Sequence, residues 1–67
     1  MDIDKIKIVH YLHSDGFVLY SGTIYYNDGD ISATTCYTPG KLSEFFIDNL
    51  VPFEIWNNCK VIKNEVL

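Results

Sequence analysis

The chain has 67 residues, with nine Asp and Glu against five Lys and no Arg, and its formal net charge is −4. This length predicts a single domain, residues 1–67, near the lower limit for folding on one core. A hydrophobic content of 48% excludes a disordered chain. Because nucleic-acid binders need clustered Lys and Arg, the charge balance disfavours direct binding of DNA or RNA. An acidic body instead suits contact with a basic protein surface.

The first half of the chain predicts three antiparallel strands. Residues 5–13, 17–26 and 31–37 are rich in β-branched and aromatic residues, and segments containing Asp-Gly separate them. Gly accepts a positive φ, so both segments predict tight hairpin turns. Gly22, in the middle of the second strand, predicts a bulge or a close approach of another backbone or side chain. The first four residues are expected to be frayed.

One amphipathic helix follows the third strand. Thr38-Pro39 is typical of a helix start, because the Thr hydroxyl caps a free N–H and Pro loses no bonded donor. Five of the next positions, four of them apolar, recur at helical spacing over about three turns and place one side of the helix on the sheet; they are Leu42, Phe45, Phe46, Asn49 and Leu50. Val51-Pro52 ends the helix.

The remaining chain completes the predicted fold class. We expect a fourth strand within 53–62 and a loose tail over 63–67. The fold class is therefore α+β: an antiparallel sheet of three to four strands in the order β-β-β-α-β, with one helix packed on one face. No run approaches the roughly 18 apolar residues of a membrane span, and no segment resembles a signal peptide. A soluble cytosolic protein with reduced Cys36 and Cys59 is expected.

Catalytic and metal-binding patterns are weak. His10, His13, Cys36 and Cys59 are suitable ligand types without the spacing of a zinc site. The chain has no Gly-rich phosphate loop, nucleophile elbow or HExxH. A domain of this size also leaves little room for a pocket of about 300 Å³ or more. We therefore expect no metal, no cofactor and no enzymatic activity.

The aromatic residues favour two interpretations equally. Six of them exceed what one helix can cover on one side of a small sheet: Tyr11, Tyr20, Tyr25, Tyr26, Tyr37 and Trp56. Tyr and Trp are enriched at protein interfaces, where the ring packs and the polar tip hydrogen-bonds. The alternative is that a small domain uses them to cover its own rim.

A resemblance to a known family covers most of residues 5–48. The chain resembles the Dmd family, the small antitoxins of T-even phages. The likeness rests on scattered matching positions: Lys7-Ile8-Val9, Tyr20-Ser21, Ile24, Asp30-Ile31, Ala33-Thr34-Thr35-Cys36-Tyr37, Lys41, Leu42 and Phe46-Ile47-Asp48. The chain departs from the family at Ser32, where the T-even member has Trp. The strand-to-helix loop is also shorter here.

The resemblance implies a non-catalytic inhibitor in the host cytoplasm. Its partner would be a host toxin endoribonuclease of the RnlA or LsoA kind. The candidate contact residues, Ser32, Thr34, Tyr37 and Lys41, belong to the strand-to-helix segment. The plainer alternative is that Thr34 and Tyr37 only pack and cap that corner.

Two rival functions remain from other classes. One is an anti-CRISPR or related phage inhibitor, which would apply the same acidic surface to a nucleic-acid-binding defence complex. The other is a structural module that forms a homo-oligomer through its aromatic residues. Rescue from the toxin, rescue from CRISPR targeting, and the mass in solution distinguish the three.

Overall fold

The computed structural model describes residues 2–66 and confirms the α+β fold class. Its sheet has four strands in the order β3-β2-β1-β4, and one main helix packs on one face. The elements in chain order are β1 (Ile3–His13), β2 (Val18–Tyr26), β3 (Ile31–Cys36), α1 (Pro39–Asp48), α2 (Phe53–Asn57) and β4 (Val61–Val66).

Two hairpins of the same type connect the first three strands. In the second, the Tyr26 N–H donates to the Asp30 carbonyl at 2.9 Å, and the Gly29 N–H donates to the Tyr26 carbonyl at 3.0 Å. The first hairpin repeats this pair of bonds around Gly16. Gly16 and Gly29 have φ of 98° and 94°, which glycine adopts without steric cost. Both predicted turns are confirmed as three-residue loops closed by a glycine bulge.

The fourth strand corrects the predicted topology. β4 pairs with β1 in parallel, with Val61 opposite Ile8, so the sheet is mixed and the prediction of a wholly antiparallel sheet was wrong. A parallel neighbour needs a long crossover, and α1 with α2 supplies it from one sheet edge to the other. Residues 53–57 are helical, and the predicted loose tail is strand as far as Val66.

The chain start is also more ordered than expected. β1 begins at Ile3, and the Asn27 N–H donates to the Asp2 carbonyl at 2.9 Å. The prediction of a frayed start was therefore wrong from Asp2 onward, because the second hairpin lies alongside it. Met1 and Leu67 lie outside the described residues.

Helix α1 begins as predicted. The Thr38 hydroxyl accepts from the Lys41 N–H at 3.3 Å, and Pro39 is the first helical residue. This cap satisfies one of the free N–H groups of the first turn.

The end of α1 differs from the helical pattern. Leu50 has a φ of 59°, its N–H donates to Ile47, and the Val51 N–H donates to the Phe46 carbonyl at 2.9 Å. This is a Schellman motif with Leu at the position that usually holds Gly. The left-handed residue changes the direction of the chain, so that Val51 enters the core and Leu50 is left 85% exposed. The prediction that Leu50 lies on the buried side of the helix was therefore wrong, because the helix has already ended at this residue.

The core lies between α1 and the centre of the sheet. Its buried members are Ile8, Ile24, Leu42, Phe46 and Val51. A methyl group placed on Gly22 would lie 2.5 Å from Leu42 Cδ1 and 2.9 Å from Phe46 Cζ. The close approach predicted for this glycine is therefore confirmed, because α1 packs directly on the backbone of β2.

Candidate functional site

The predicted contact residues occupy two places along one strand and the helix that follows it. Ser32 and Thr34 are half-buried on the side of β3 that faces α1, whereas Tyr37 and Lys41 are exposed just beyond the strand. Ser32 lies at the start of the strand, about 17 Å from Tyr37 at roughly 3.3 Å per residue. The structure thus places Tyr37 and Lys41 at the corner, and Ser32 at the far end.

The corner presents one aromatic and one charged side chain to solvent. Tyr37 is 79% exposed, so a partner could cover nearly all of its ring. The Lys41 ammonium lies 3.3 Å from the Glu44 carboxylate, and both side chains are largely exposed. Such a pair contributes little to stability, so Lys41 can exchange this partner for another at small cost. Thr34 Oγ1 lies 3.7 Å from Sγ of Cys36, which is two residues further along β3.

The face of the sheet opposite α1 has a different charge from the rest of the chain. By the strand register it presents Lys5, Lys7, Tyr11 and Tyr25, and its paired strand residues include no Asp or Glu. Lys5 Nζ lies 5.1 Å from the centre of the Tyr25 ring, a cation–π contact. Glu65, the acidic residue that the strand pairing places, lies on the other face, opposite Leu12.

The aromatic residues divide between core and surface. Tyr20, Tyr26 and Trp56 pack against the core from the α1 side. Tyr11 is half-buried on the opposite face, and Tyr37 is exposed. Both interpretations of the aromatic content thus hold for part of the set, because the domain covers some rings itself and leaves others accessible.

A second exposed surface, which was not predicted from the sequence, lies where α1 meets α2. Large apolar side chains are exposed there within a short stretch: Ile47, Leu50, Phe53 and Ile55. We call this stretch the elbow. Asp48 and Glu54 lie in the same stretch and are exposed. A monomer exposes such groups of apolar residues mainly at interaction sites. The apolar Ile47 on the polar side of the predicted helix was the available signal.

A depression adjoins the elbow. Its volume is about 510 Å³, and its lining includes Leu50, Pro52, Ile55 and the Asp2 end of the chain. We expected little room for a pocket of about 300 Å³ or more, and the volume of this depression shows that this expectation was wrong. The depression lies between the start of β1 and α2, because Ile3 and Ile55 both line it.

The candidate metal ligands lie apart. Among residues 2–66, no group of three or more His, Cys, Asp and Glu side chains is placed to hold a metal ion. His10 contacts Tyr20 edge-on at 4.7 Å, whereas His13 stacks on Phe17 at 4.0 Å. The register puts these two histidines on opposite faces of the sheet.

The two cysteines are free thiols packed at the rim of the core. Cys59 Sγ lies 3.7 Å from the Ile6 carbonyl oxygen, and Cys36 contacts Thr34. In the part of the chain that the structure describes, no helix has the length and apolar character needed to cross a membrane.

Comparisons with known proteins give no relative for this chain. No protein-family model, no curated protein and no solved structure matches it.

Proposed function

We propose that this chain is a non-catalytic inhibitor that binds a host toxin endoribonuclease of the RnlA or LsoA kind in the host cytoplasm. The target comes from the resemblance to the Dmd family. The observation that carries the proposal is the exposed corner, where Tyr37 and Lys41 lie within the segment of closest resemblance. An exposed Tyr is one of the residue types that most often dominate the binding energy of protein interfaces.

The charge distribution supports a protein partner that acts on RNA. A ribonuclease must present basic groups to bind its substrate. The inhibitor carries a net charge of −4, and Glu44, Asp48 and Glu54 are exposed on its helices. Opposite charges on the two proteins would accelerate their encounter and orient the helical side toward the partner.

The first prediction concerns complex formation. Co-expression with an RnlA- or LsoA-type toxin should give a complex of fixed stoichiometry in which RNA cleavage is abolished. Tyr37→Ala should weaken this complex about 10- to 100-fold, because loss of an interface hot spot costs roughly 2 kcal/mol or more. Lys41→Ala should have a smaller effect in the same direction. Titration calorimetry and an RNA cleavage assay measure both variants.

Two matched controls test the location of the interface. Tyr25→Ala removes an aromatic residue on the opposite face of the sheet, and Leu50→Ala removes an exposed apolar residue at the elbow. Both should leave the affinity within about threefold of the original, a change below roughly 0.7 kcal/mol. If Leu50→Ala weakens binding and Tyr37→Ala does not, the corner is not the interface. Undiminished cleavage with no complex would reject the toxin as target.

The second prediction concerns ionic strength. The association rate with the toxin should fall at least severalfold between about 0.01 M and 0.15 M salt, as the Debye length shortens from about 30 Å to 8 Å. An Asp48→Asn, Glu54→Gln variant should show a flatter dependence, because it lacks two exposed acidic groups. Stopped-flow mixing measures the rate. An association rate independent of salt would remove the electrostatic part of the proposal.

A further inference from the structure

The two edges of the sheet are protected to different degrees. β4 carries Lys63 and Glu65 within the strand. β3 (Ile31–Cys36) has no charged residue, no Pro and no Gly, and its pairing with β2 is regular. Edge strands usually avoid unintended pairing through charges, Pro or bulges. β3 has none of these devices, although half of its residues are Thr or Ile, which favour strands.

The hydrogen-bonding groups of β3 alternate in direction. The bond from the Tyr26 N–H to the Asp30 carbonyl, 2.9 Å, identifies this pair as a hydrogen-bonded one. Because such pairs alternate in an antiparallel ladder, the even-numbered residues 32–36 bond to β2. The N–H and C=O groups of Ile31, Ala33 and Thr35 therefore point away from the sheet, and these three residues are exposed.

We propose that this edge pairs with the same edge of a second copy of the chain. The two β3 strands run antiparallel about a two-fold axis at Thr34, and two four-stranded sheets become one continuous sheet. In this register Ala33 lies opposite Thr35 of the second copy, so the outward-pointing groups bond to one another. Odd-numbered residues of one copy pair with odd-numbered residues of the other. Each face of one sheet therefore continues into the corresponding face of the other sheet.

The side chains at both ends of the paired strands are complementary. Ile31 lies opposite Tyr37 of the second copy, and these residues are 60% and 79% exposed in the single chain. Pairing covers both, and an aromatic ring beside a β-branched residue is a favourable cross-strand pair. Asp28 and Asp30 precede β3 and Lys41 follows it. The antiparallel arrangement thus brings these Asp residues toward Lys41 of the second copy twice. Lys41 can exchange its exposed pair with Glu44 for them at small cost, which favours a second copy as the occupant.

The mass in solution is the first test. Sedimentation equilibrium should show the mass rise with concentration toward twice the 7.7 kDa of one chain. Amide exchange of the unaltered protein gives a second reading without any substitution. As the protein concentration rises and the dimer forms, the amide exchange rates of Ala33 and Thr35 should fall at least tenfold. The rates of Ser32 and Thr34 should not change, because these residues are already bonded to β2.

A cross-link tests the register. In a background of Cys36→Ser and Cys59→Ser, Thr34→Cys should form a covalent dimer on mild oxidation. At the axis the pair is not hydrogen-bonded, and its Cα atoms lie about 4.5 Å apart, within the range of a disulfide. Ser32→Cys is the matched control, because it is half-buried on the same face of the same strand but lies away from the axis.

Three results would overturn the inference. They are a monomeric mass up to about millimolar concentration, exchange at Ala33 and Thr35 that is independent of concentration, and equal cross-linking at Ser32→Cys and Thr34→Cys. None of these measurements uses the toxin, so they test the inference separately from the proposed function. Because both interfaces cover Tyr37, the dimer and the toxin complex exclude each other.

Discussion

Replacing Phe46 by Ala is expected to remove most of the stability of the domain. Phe46 is 1% exposed, its ring stacks on Trp56 at a centroid distance of 6.0 Å, and it contacts Gly22. Truncating a buried Phe costs about 3–5 kcal/mol. A domain of 67 residues has a total stability of roughly 3–10 kcal/mol at about 0.05–0.15 kcal/mol per residue. Urea unfolding followed by circular dichroism measures the loss.

The matched control for this prediction is Phe53→Ala. Phe53 also contacts Trp56, edge-on at 4.9 Å, but it is 57% exposed. Its truncation should cost clearly less than that of Phe46, because most of its surface is already in water and its aromatic pair adds only about 0.5–1.5 kcal/mol to the area that it buries. Trp56 is the single Trp of the chain, so its fluorescence reports the local packing in both variants. Equal losses for Phe46 and Phe53 would contradict the assignment of the core to the α1 side.

Adding one methyl group at Gly22 is expected to have the second-largest effect. A Cβ there meets Leu42 Cδ1 at 2.5 Å and Phe46 Cζ at 2.9 Å, so α1 must shift or both side chains must leave their rotamers. Such overpacking costs about 1–3 kcal/mol. The free energy of unfolding of Gly22→Ala should fall by this amount.

Two comparisons identify the cause. Gly40 lies in the first turn of α1, and a methyl group added there would have no atom within 4 Å. Gly40→Ala should therefore stabilise the helix by up to about 1 kcal/mol. In a Leu42→Ala background the cost of Gly22→Ala should shrink, because the nearest atom is gone. If the cost is unchanged there, the contact with α1 is not its source.

The elements that could be predicted from the sequence are those with local signals. Both hairpins depend on Asp-Gly turns, whose glycines have the expected positive φ. The start of α1 depends on Thr38 and Pro39, which act within one turn. Gly22 was informative because a glycine inside a strand indicates a close neighbour, although the sequence did not say which.

The remaining elements depend on contacts distant in the chain. Residues 53–56 form a short apolar run, and periodicity cannot tell a strand from a helix at that length. The parallel position of β4 is set by which sheet edge the crossover reaches. The left-handed φ of Leu50 is unusual outside glycine, and no local pattern announces it. The exposure of Leu50, one member of the elbow, could not be predicted for this reason.

The candidate contact residues were predictable in part. Tyr37 and Lys41 lie at a corner that follows from the order of strand and helix, and their exposure agrees with that place. Ser32 was assigned to the same corner, yet it lies at the other end of β3. The distance of Ser32 from the corner follows from the predicted strand 31–37, whose end agrees with the structure to within one residue.

The pairing of β1 with β4 has a consequence for synthesis on the ribosome. Cys59 contacts the Ile6 carbonyl across 53 positions of sequence, and β4 begins two residues after Cys59. Closing so long a loop is slow compared with forming the two hairpins. The nascent chain therefore carries β1 with one side of its backbone unpaired until β4 has been synthesised. During that interval β1, rather than β3, is the strand most open to pairing with a neighbouring chain.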